Sequence, residues 1–305
     1  MTKSVTILIA CYNGAQYLRR CLDSCVQQTY KNLEILIVND GSTDESQAII
    51  EEYIDKYQNI HLINQNNQGL SQTRNVLIQN CTTTYGYFLD ADDWIEPDCI
   101  AYFVAHSANY HLVIGQAFLS KPNKNKSFWV NRKVNTKTTN ESYLIANSCF
   151  CWNILFETKY LQQFKFAENA CFFEDTGLMS YLIYKTKATK FLLEPKYHYW
   201  VNPHSASRGQ MNLQKLEDFW NQLEYFYALV EQENFVKYPR AINDQLAYYH
   251  ALLYVYSNWQ SNLNKMQKKA FKQRLINLEK SHQKLKFPRR SWKFWHFFFY
   301  RICGC

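Results

Sequence analysis

Through the first third of the chain, short apolar runs alternate with longer stretches whose apolar positions recur every three or four residues. The runs predict strands at Val5 to Ala10, Leu33 to Val38, Ile60 to Ile63 and Gly86 to Leu89. The periodic stretches predict helices at Ala15 to Gln28, Thr43 to Tyr57 and Leu70 to Asn80. Strand and helix repeating at this spacing imply parallel pairing through right-handed crossovers, hence an α/β fold with a mainly parallel sheet covered on both faces. Ligands of such sheets bind at the carboxyl ends of the strands, so the residues that close each run are where chemistry is expected.

Beyond Pro97 the pattern loosens. One further helix (Asp98 to Asn109) and strand (Leu112 to Phe118) complete the expected sheet. The polar stretch from Lys121 to Asn140 reads as an exposed excursion. From about Gln210 the chain reads as helical, a smaller module on or beside the sheet.

At 305 residues the chain can bury a substantial core, and one large domain with an appendage fits better than two equal domains. Aromatic residues make up 17%, many of them beyond residue 140, where packing is the default use and a sugar-binding cleft or a membrane surface the alternative. The ten cysteines are scattered without zinc-type spacing and no signal peptide opens the chain, which suits reduced thiols in the cytoplasm. The net charge of +8 is unevenly spread: Lys284, Lys286, Arg289, Arg290, Lys293 and Arg301 surround Trp292, Phe294, Trp295, Phe297, Phe298, Phe299 and Tyr300. No stretch there reaches the ~20 apolar residues of a spanning helix. Peripheral docking on an anionic membrane surface therefore stands beside packing of a terminal helix on the protein body. With the basic residues confined to a tail, nucleic acid is not an expected partner.

Three carboxylates crowd the run Asp90-Ala91-Asp92-Asp93 at the end of the fourth predicted strand. Like charges this close repel unless a cation or hydrogen-bond donors relieve them. Oxygen-only ligands suit Mg²⁺ or Mn²⁺, whose open positions a substrate's phosphate oxygens complete; a polar turn capping the next helix is the plain alternative. Ala10-Cys11-Tyr12-Asn13 closes the first strand and Asn39-Asp40-Gly41-Ser42-Thr43-Asp44 the second. There Gly41 permits a tight turn, Thr43 can cap the helix, and Asp40 is left to accept hydrogen bonds from a base or ribose, or else the turn is purely structural. Asn67-Gln68-Gly69 opens the third helix and puts Arg74 about one turn inside, either on the surface or against a nucleotide.

In this order, Tyr12-Asn13, Asp40-Gly41-Ser42, Asn67-Gln68-Gly69 with Arg74-Asn75, and Asp90-Ala91-Asp92-Asp93 resemble the inverting family 2 glycosyltransferases, which use the nucleotide-sugar-binding fold called GT-A. The likeness covers residues 4–118 well and 140–210 more loosely. It implies a GT-A domain over residues 1–209, with a nucleotide-sugar half (1–118) and an acceptor half (119–209), then a helical C-terminal region (210–305). It implies that Asp40 holds the nucleoside, that Tyr12 lines the base pocket with Arg74 contributing nearby, and that Ala10, Asn13 and Gly69 also bind the nucleotide-sugar. By the same likeness Asp92, with Asp90, binds Mn²⁺ or Mg²⁺, Asp90 and Ala91 also meet the donor, and Asp93 serves the sugar or a helix cap. In Phe172-Phe173-Glu174-Asp175 the likeness makes Asp175 the general base and Glu174 its support. Burial beside Phe172 and Phe173 would strengthen an aspartate whose ordinary pKa is only ~3.9. His198 and Arg208 resemble a loop that meets the diphosphate on closing; a satisfied histidine and a surface arginine are the plain readings.

The implied reaction is a direct displacement that moves one sugar, with inversion, from a nucleotide-diphosphate donor (a UDP-sugar foremost) to a glycan or lipid-linked acceptor of a cell-surface polysaccharide or lipopolysaccharide. The spanning helices and Gln-x-x-Arg-Trp signature of processive synthases are absent, so a single sugar per encounter is expected. Two other classes compete. A nucleotidyltransferase would carry a Gly-rich basic loop where this chain has Tyr12-Asn13-Gly14-Ala15, and a non-catalytic, membrane-associated nucleotide-sugar binder would share the fold without turnover.

Overall fold

A computed structural model describes residues 3–121, 124–128, 150–168, 172–186, 188–201, 211–233 and 262–281, together with Ile242, Gln245, Leu246, Tyr249, Leu252 and Leu253. The expected series forms: β1 (Val5–Cys11), α1 (Ala15–Val26), β2 (Leu33–Asp40), α2 (Ser46–Ile54), β3 (Ile60–Gln65), α3 (Leu70–Asn80) and β4 (Tyr85–Phe88). β1 pairs in parallel with both β2 and β4, and β2 with β3. The chain thus winds outward from β1 to β3 and crosses back to β4 on the other side of β1. That reversal opens a crevice above the carboxyl ends of β1 and β4, where a ligand of an open α/β sheet belongs.

Successive side chains of the strands belong to opposite faces and so sort onto two cores. Leu8, Leu36, Val38 and Phe88 point to one face and pack with Leu77 and Ile78 of α3. Val5, Ile7, Ile9, Ile35, Ile37 and Tyr87 point to the other and pack with Leu18 and Leu22 of α1 and Ile49 and Ile50 of α2. Covering both faces is what makes the strands apolar throughout.

Beyond β4 come β5 (Trp94–Ile95), α4 (Cys99–Ala105), β6 (Leu112–Lys121), β7 (Lys124–Phe128), β8 (Ile154–Glu157), α5 (Thr158–Leu161), α6 (Thr176–Thr186) and β9 (Thr189–Trp200). Helices α7 (Leu213–Glu231) and α8 (Lys265–Ser281) come later in the chain. The strand order is β3-β2-β1-β4-β8-β6-β9-β5, with β7 paired to β6. The sheet is therefore mixed and the class α/β, as expected, but its completion differs. The Leu112 strand does not adjoin β4; β8 lies between them, antiparallel to both. Only four residues long, β8 is too short for a periodicity to reveal. Part of the stretch read as an excursion, Lys124–Phe128, is an antiparallel partner of β6.

Helix α7 joins the core beneath the α3 face: Leu216, Phe219, Leu223 and Phe226, with Phe271 and Leu275 of α8, belong to the same buried cluster as Leu8 and Phe88. Among the described residues no helix is long and apolar enough to cross a membrane. The segment Ser205 to Arg208 and the basic, aromatic tail from Lys284 onward lie outside the described residues.

Candidate active site

The loops after β1 and β2 are clasped together. Asn13, with a left-handed backbone (φ 50°), accepts at Oδ1 from the Thr43 amide (2.8 Å), while its own amide donates to Ser42 Oγ (2.9 Å). Asp44 accepts from the amides of Ala15 (3.0 Å) and Ser46 (3.0 Å), and Ser46 Oγ from the Gly14 amide (2.9 Å). Donors at the starts of α1 and α2 are thus satisfied across the gap, and Thr43, expected to cap α2, is instead spent on Asn13. This clasp leaves Tyr12 standing out, its surface 53% exposed, at the lip of the crevice. Ala10 sits half-buried just below it at the end of β1.

Asp40 is not left free. It is buried, and its carboxylate accepts from the amides of Gln68 (2.8 Å) and Gly69 (2.9 Å) and from Gln65 Nε2 (2.7 Å). An acid at the mouth of α3 satisfies that helix's unpaired donors, which is why the loop folds onto it. Gly41 (φ 73°) and Gly69 (φ 84°) supply the left-handed turns on either side.

The acidic run splits in two directions. Asp90 and Asp92 are half-buried, and Arg20 Nη2 fixes the Asp92 carbonyl (2.6 Å) while its guanidinium stacks 3.9 Å over Trp94. Asp93 instead turns inward, fully buried. Its oxygens accept from Tyr197 Oη (2.5 Å) and the Trp200 amide (2.6 Å), and burial together with Asp92 and Asp90 holds its carboxyl well above the usual range. Asp93 therefore ties the acidic loop to β9. His198 is likewise satisfied: Ser120 meets Nδ1 (3.0 Å), Glu96 meets Nε2 (2.6 Å), and the ring stacks between Trp94 and Phe118.

Arg74, expected against a nucleotide, is buried beneath the loop. It donates through Nη2 to Asp90 Oδ1 (3.1 Å) and through Nη1 to Glu174 Oε1. Burial pulls against its charge, but Cys151, Glu174, Asp90 and Asp175 around it hold its pKa above the ordinary arginine value. Glu174 and Asp175 follow Phe173, a bulky residue held left-handed at φ 59°. Asp175 is buried, with Oδ2 accepting from the Cys151 amide (3.2 Å). Burial first, then the charge of Glu174, pushes its carboxyl up to about 8, with Arg74 opposing. No residue-type signal marks Cys151, because its contribution comes from the backbone; Arg20 was missed because only the tertiary fold brings α1 beside the acidic loop.

Asp90, with 30% of its side chain exposed, and the half-buried Asp92 stand beside the crevice and carry oxygen donors alone. Among the described residues no three His, Cys, Asp or Glu side chains converge to hold a metal. Two carboxylates completed by a diphosphate's oxygens is the composition that Mg²⁺ and Mn²⁺ accept, so the residues fit such an ion.

Residues 6–171, more than half of the chain, match the family described as Glycosyl transferase family 2. The chain is 48% identical over 96 residues to glycosyltransferase GlyA of Streptococcus pneumoniae, a match covering 32% of this chain and 14% of that protein. It is 30% identical over 202 residues to the teichoic acid poly(glycerol phosphate) polymerase of Staphylococcus epidermidis, covering 63% of this chain and 28% of that protein. The chain therefore spans less than a third of either relative. The fold is shared with S. aureus TarS in complex with UDP-GlcNAc (TM-score 0.74, 16% identity, 99% of this chain and 88% of that one). It is shared too with the mannosyltransferase PcManGT of Pyrobaculum calidifontis in complex with GDP-Man and Mn²⁺ (TM-score 0.59, 15% identity, 100% and 87%). Strand-end motifs, a mixed α/β sheet and the family match over its first half lead to one conclusion: the chain belongs to glycosyl transferase family 2.

Proposed function

We propose that this glycosyltransferase moves one sugar, with inversion, from a UDP-sugar or similar nucleotide-diphosphate donor to a glycan or lipid-linked acceptor of a cell-surface polymer. The observation that carries the reading is the Arg74 bridge. One buried guanidinium ties Asp90, in the acidic loop, to Glu174, beside the buried carboxyl of Asp175. A diphosphate-facing acid and a candidate base are thereby held in one rigid unit.

In this reading the nucleoside lies over the carboxyl ends of β1 and β2. The ring of Tyr12 meets the base, Ala10 and Asn13 frame the pocket, and Asp40 holds the Gln68–Gly69 loop as its floor. Asp90 and Asp92 would hold Mn²⁺ or Mg²⁺, flanked by Ala91; when bound, the ion neutralises charge on the departing diphosphate. Asp175 takes the acceptor hydroxyl's proton, and its raised pKa makes it a stronger base than an ordinary carboxylate. Glu174 sustains that rise, and Arg74 compensates the charge of Glu174 and Asp90 so that three carboxyl groups can share the site. Attack from the side opposite the leaving group inverts the anomeric carbon. The nucleotide sugars bound by TarS and PcManGT, the Mn²⁺ of the latter and the polymer named in the teichoic acid relative support the classes of donor, ion and acceptor. The basic, aromatic segment from Lys284 to Arg301 would rest on the anionic inner face of the cell membrane.

The test incubates the full chain with Mn²⁺ and a panel of UDP- and GDP-sugars, following nucleoside diphosphate release and UDP binding. Asp92→Ala is expected to weaken Mn²⁺-dependent UDP binding by about tenfold or more. Ion-dependent binding that survives this change, or a folded chain that binds none of the donors, would overturn the proposal.

A further inference from the structure

The turn that bears Glu174 and Asp175 is not part of any strand, and Phe173 within it is held left-handed. Besides Arg74 and the Cys151 amide, a further grip on it comes from α7, beyond the part of the chain that matches the family. The Phe172 amide donates to Asp218 Oδ2 (3.1 Å), and Asp218 Oδ1 accepts from Gln214 Nε2 (2.7 Å). Asp218 is fully buried, and a buried carboxylate aimed at a backbone amide is a charge-assisted anchor. Neighbours on α7 reinforce it: the Phe173 ring packs 5.0 Å from that of Phe219, and the Lys215 ammonium lies 5.0 Å over Phe172. A Cβ added to Gly177, in the first turn of α6, would come within 2.8 Å of the Gln222 carbonyl oxygen, so the two helices meet backbone to backbone there.

We infer that Asp218 is a positioning residue for the transfer reaction: from α7 it clamps the Phe172–Asp175 turn and sets how deeply the Asp175 carboxyl sits. The inference rests on the reading of Asp175 as base. Four groups act on Asp175: Glu174 beside it, Arg74 from α3, the Cys151 amide ahead of β8, and Asp90 from the acidic loop. Asp218 reaches the base through the turn, by its hold on the Phe172 amide. Loosening the clamp leaves the nucleoside pocket, built on β1 and β2, in place, and the Arg74 link between Glu174 and Asp90 is its route to the donor side.

The experiment compares the full-length chain with Asp218→Ala, Asp218→Asn and Gln214→Ala. Hydrogen exchange is followed in the peptide spanning Phe172 to Thr176, the Asp175 carboxyl is titrated by carbon NMR, and binding of UDP with Mn²⁺ is measured. Asp218→Ala is expected to speed exchange in that peptide about tenfold or more and to move the Asp175 titration to lower pH, with UDP affinity within about twofold of the parent. Asp218→Asn keeps an oxygen for the Phe172 amide and should restore both readouts. Gln214→Ala, which removes one support of Asp218 at a milder site, should move them the same way by less. On a donor that the parent turns over, Asp218→Ala should also lower kcat about tenfold or more. Parent-like exchange and parent-like Asp175 titration in Asp218→Ala, or in Gln214→Ala should the former not fold, overturn the inference. Failure of the base reading shows elsewhere, as Asp175→Asn turning over like the parent.

Discussion

Asp175 shows how burial alone changes what a residue can do. Facing Glu174 in a dry site, its carboxyl binds a proton more tightly in the folded chain than in the unfolded one. Its contribution to stability is therefore complete below the unfolded pKa of ~3.9. It is lost as the pH rises through the folded value of about 8. Asp175→Asn stays neutral throughout, so relative to the parent it should gain stability across that window, by on the order of 1–3 kcal/mol. Thermal unfolding of the two proteins over the same pH series checks this; a gap that does not change with pH would mean that the charge is not buried. The same substitution should cut kcat about 10²–10⁴-fold while leaving UDP affinity intact, the pattern of a lost general base. Asp90, Asp92 and Asp40 stand out in the sequence as candidates because strand ends announce themselves. The partners of Asp93 and Arg74 are not legible there, because only packing decides that one turns toward β9 and the other lies under the loop.

At the scale of elements, the loops after β1, β2 and β3 form a single clasped rim. Gly41 is its tightest point: φ is 73°, and an added Cβ would meet the Asn67 amide nitrogen at 2.8 Å and the Gln65 carbonyl oxygen at 3.4 Å. Neither neighbour is a side chain that can swing away. Gly41→Ala should therefore destabilise the chain by about 1–3 kcal/mol. Because Asp40 holds the Gln68–Gly69 loop next to it, UDP affinity should fall as well. Urea unfolding midpoints and UDP titrations of the variant measure both, and an unchanged midpoint would show that the rim has slack. Strands β1, β2 and β4 were readable because each is a run buried on both faces, and β3, at the sheet edge, by its short apolar run. By contrast, β8 is a four-residue apolar segment whose place between β4 and β6 no local pattern dictates.

At the scale of the whole molecule, the aromatic residues beyond the sheet have a use that composition left open. Phe219, Trp220, Phe226 and Tyr249 are buried in the core beneath the α3 face. The segment from Lys284 to Arg301 remains as the candidate for a membrane surface, with six basic residues that each contribute about 1 kcal/mol near anionic lipid. Removing residues 284–305 should lower binding to phosphatidylglycerol-rich vesicles at least about tenfold and make what remains insensitive to salt. Equal binding by the shortened chain would assign the segment to packing.

Hydrophobic periodicity and turn residues act over a few neighbours, so they alone were enough to specify the strand-helix alternation, the acidic strand ends and the family they resemble. Which acid turns inward to β9, which arginine bridges the acidic loop to Glu174, and that α7 holds the turn carrying Asp175 depend on contacts between segments far apart in the chain. Those contacts follow from burying two faces of one sheet at once, and a linear pattern does not encode the partners that such burial brings together.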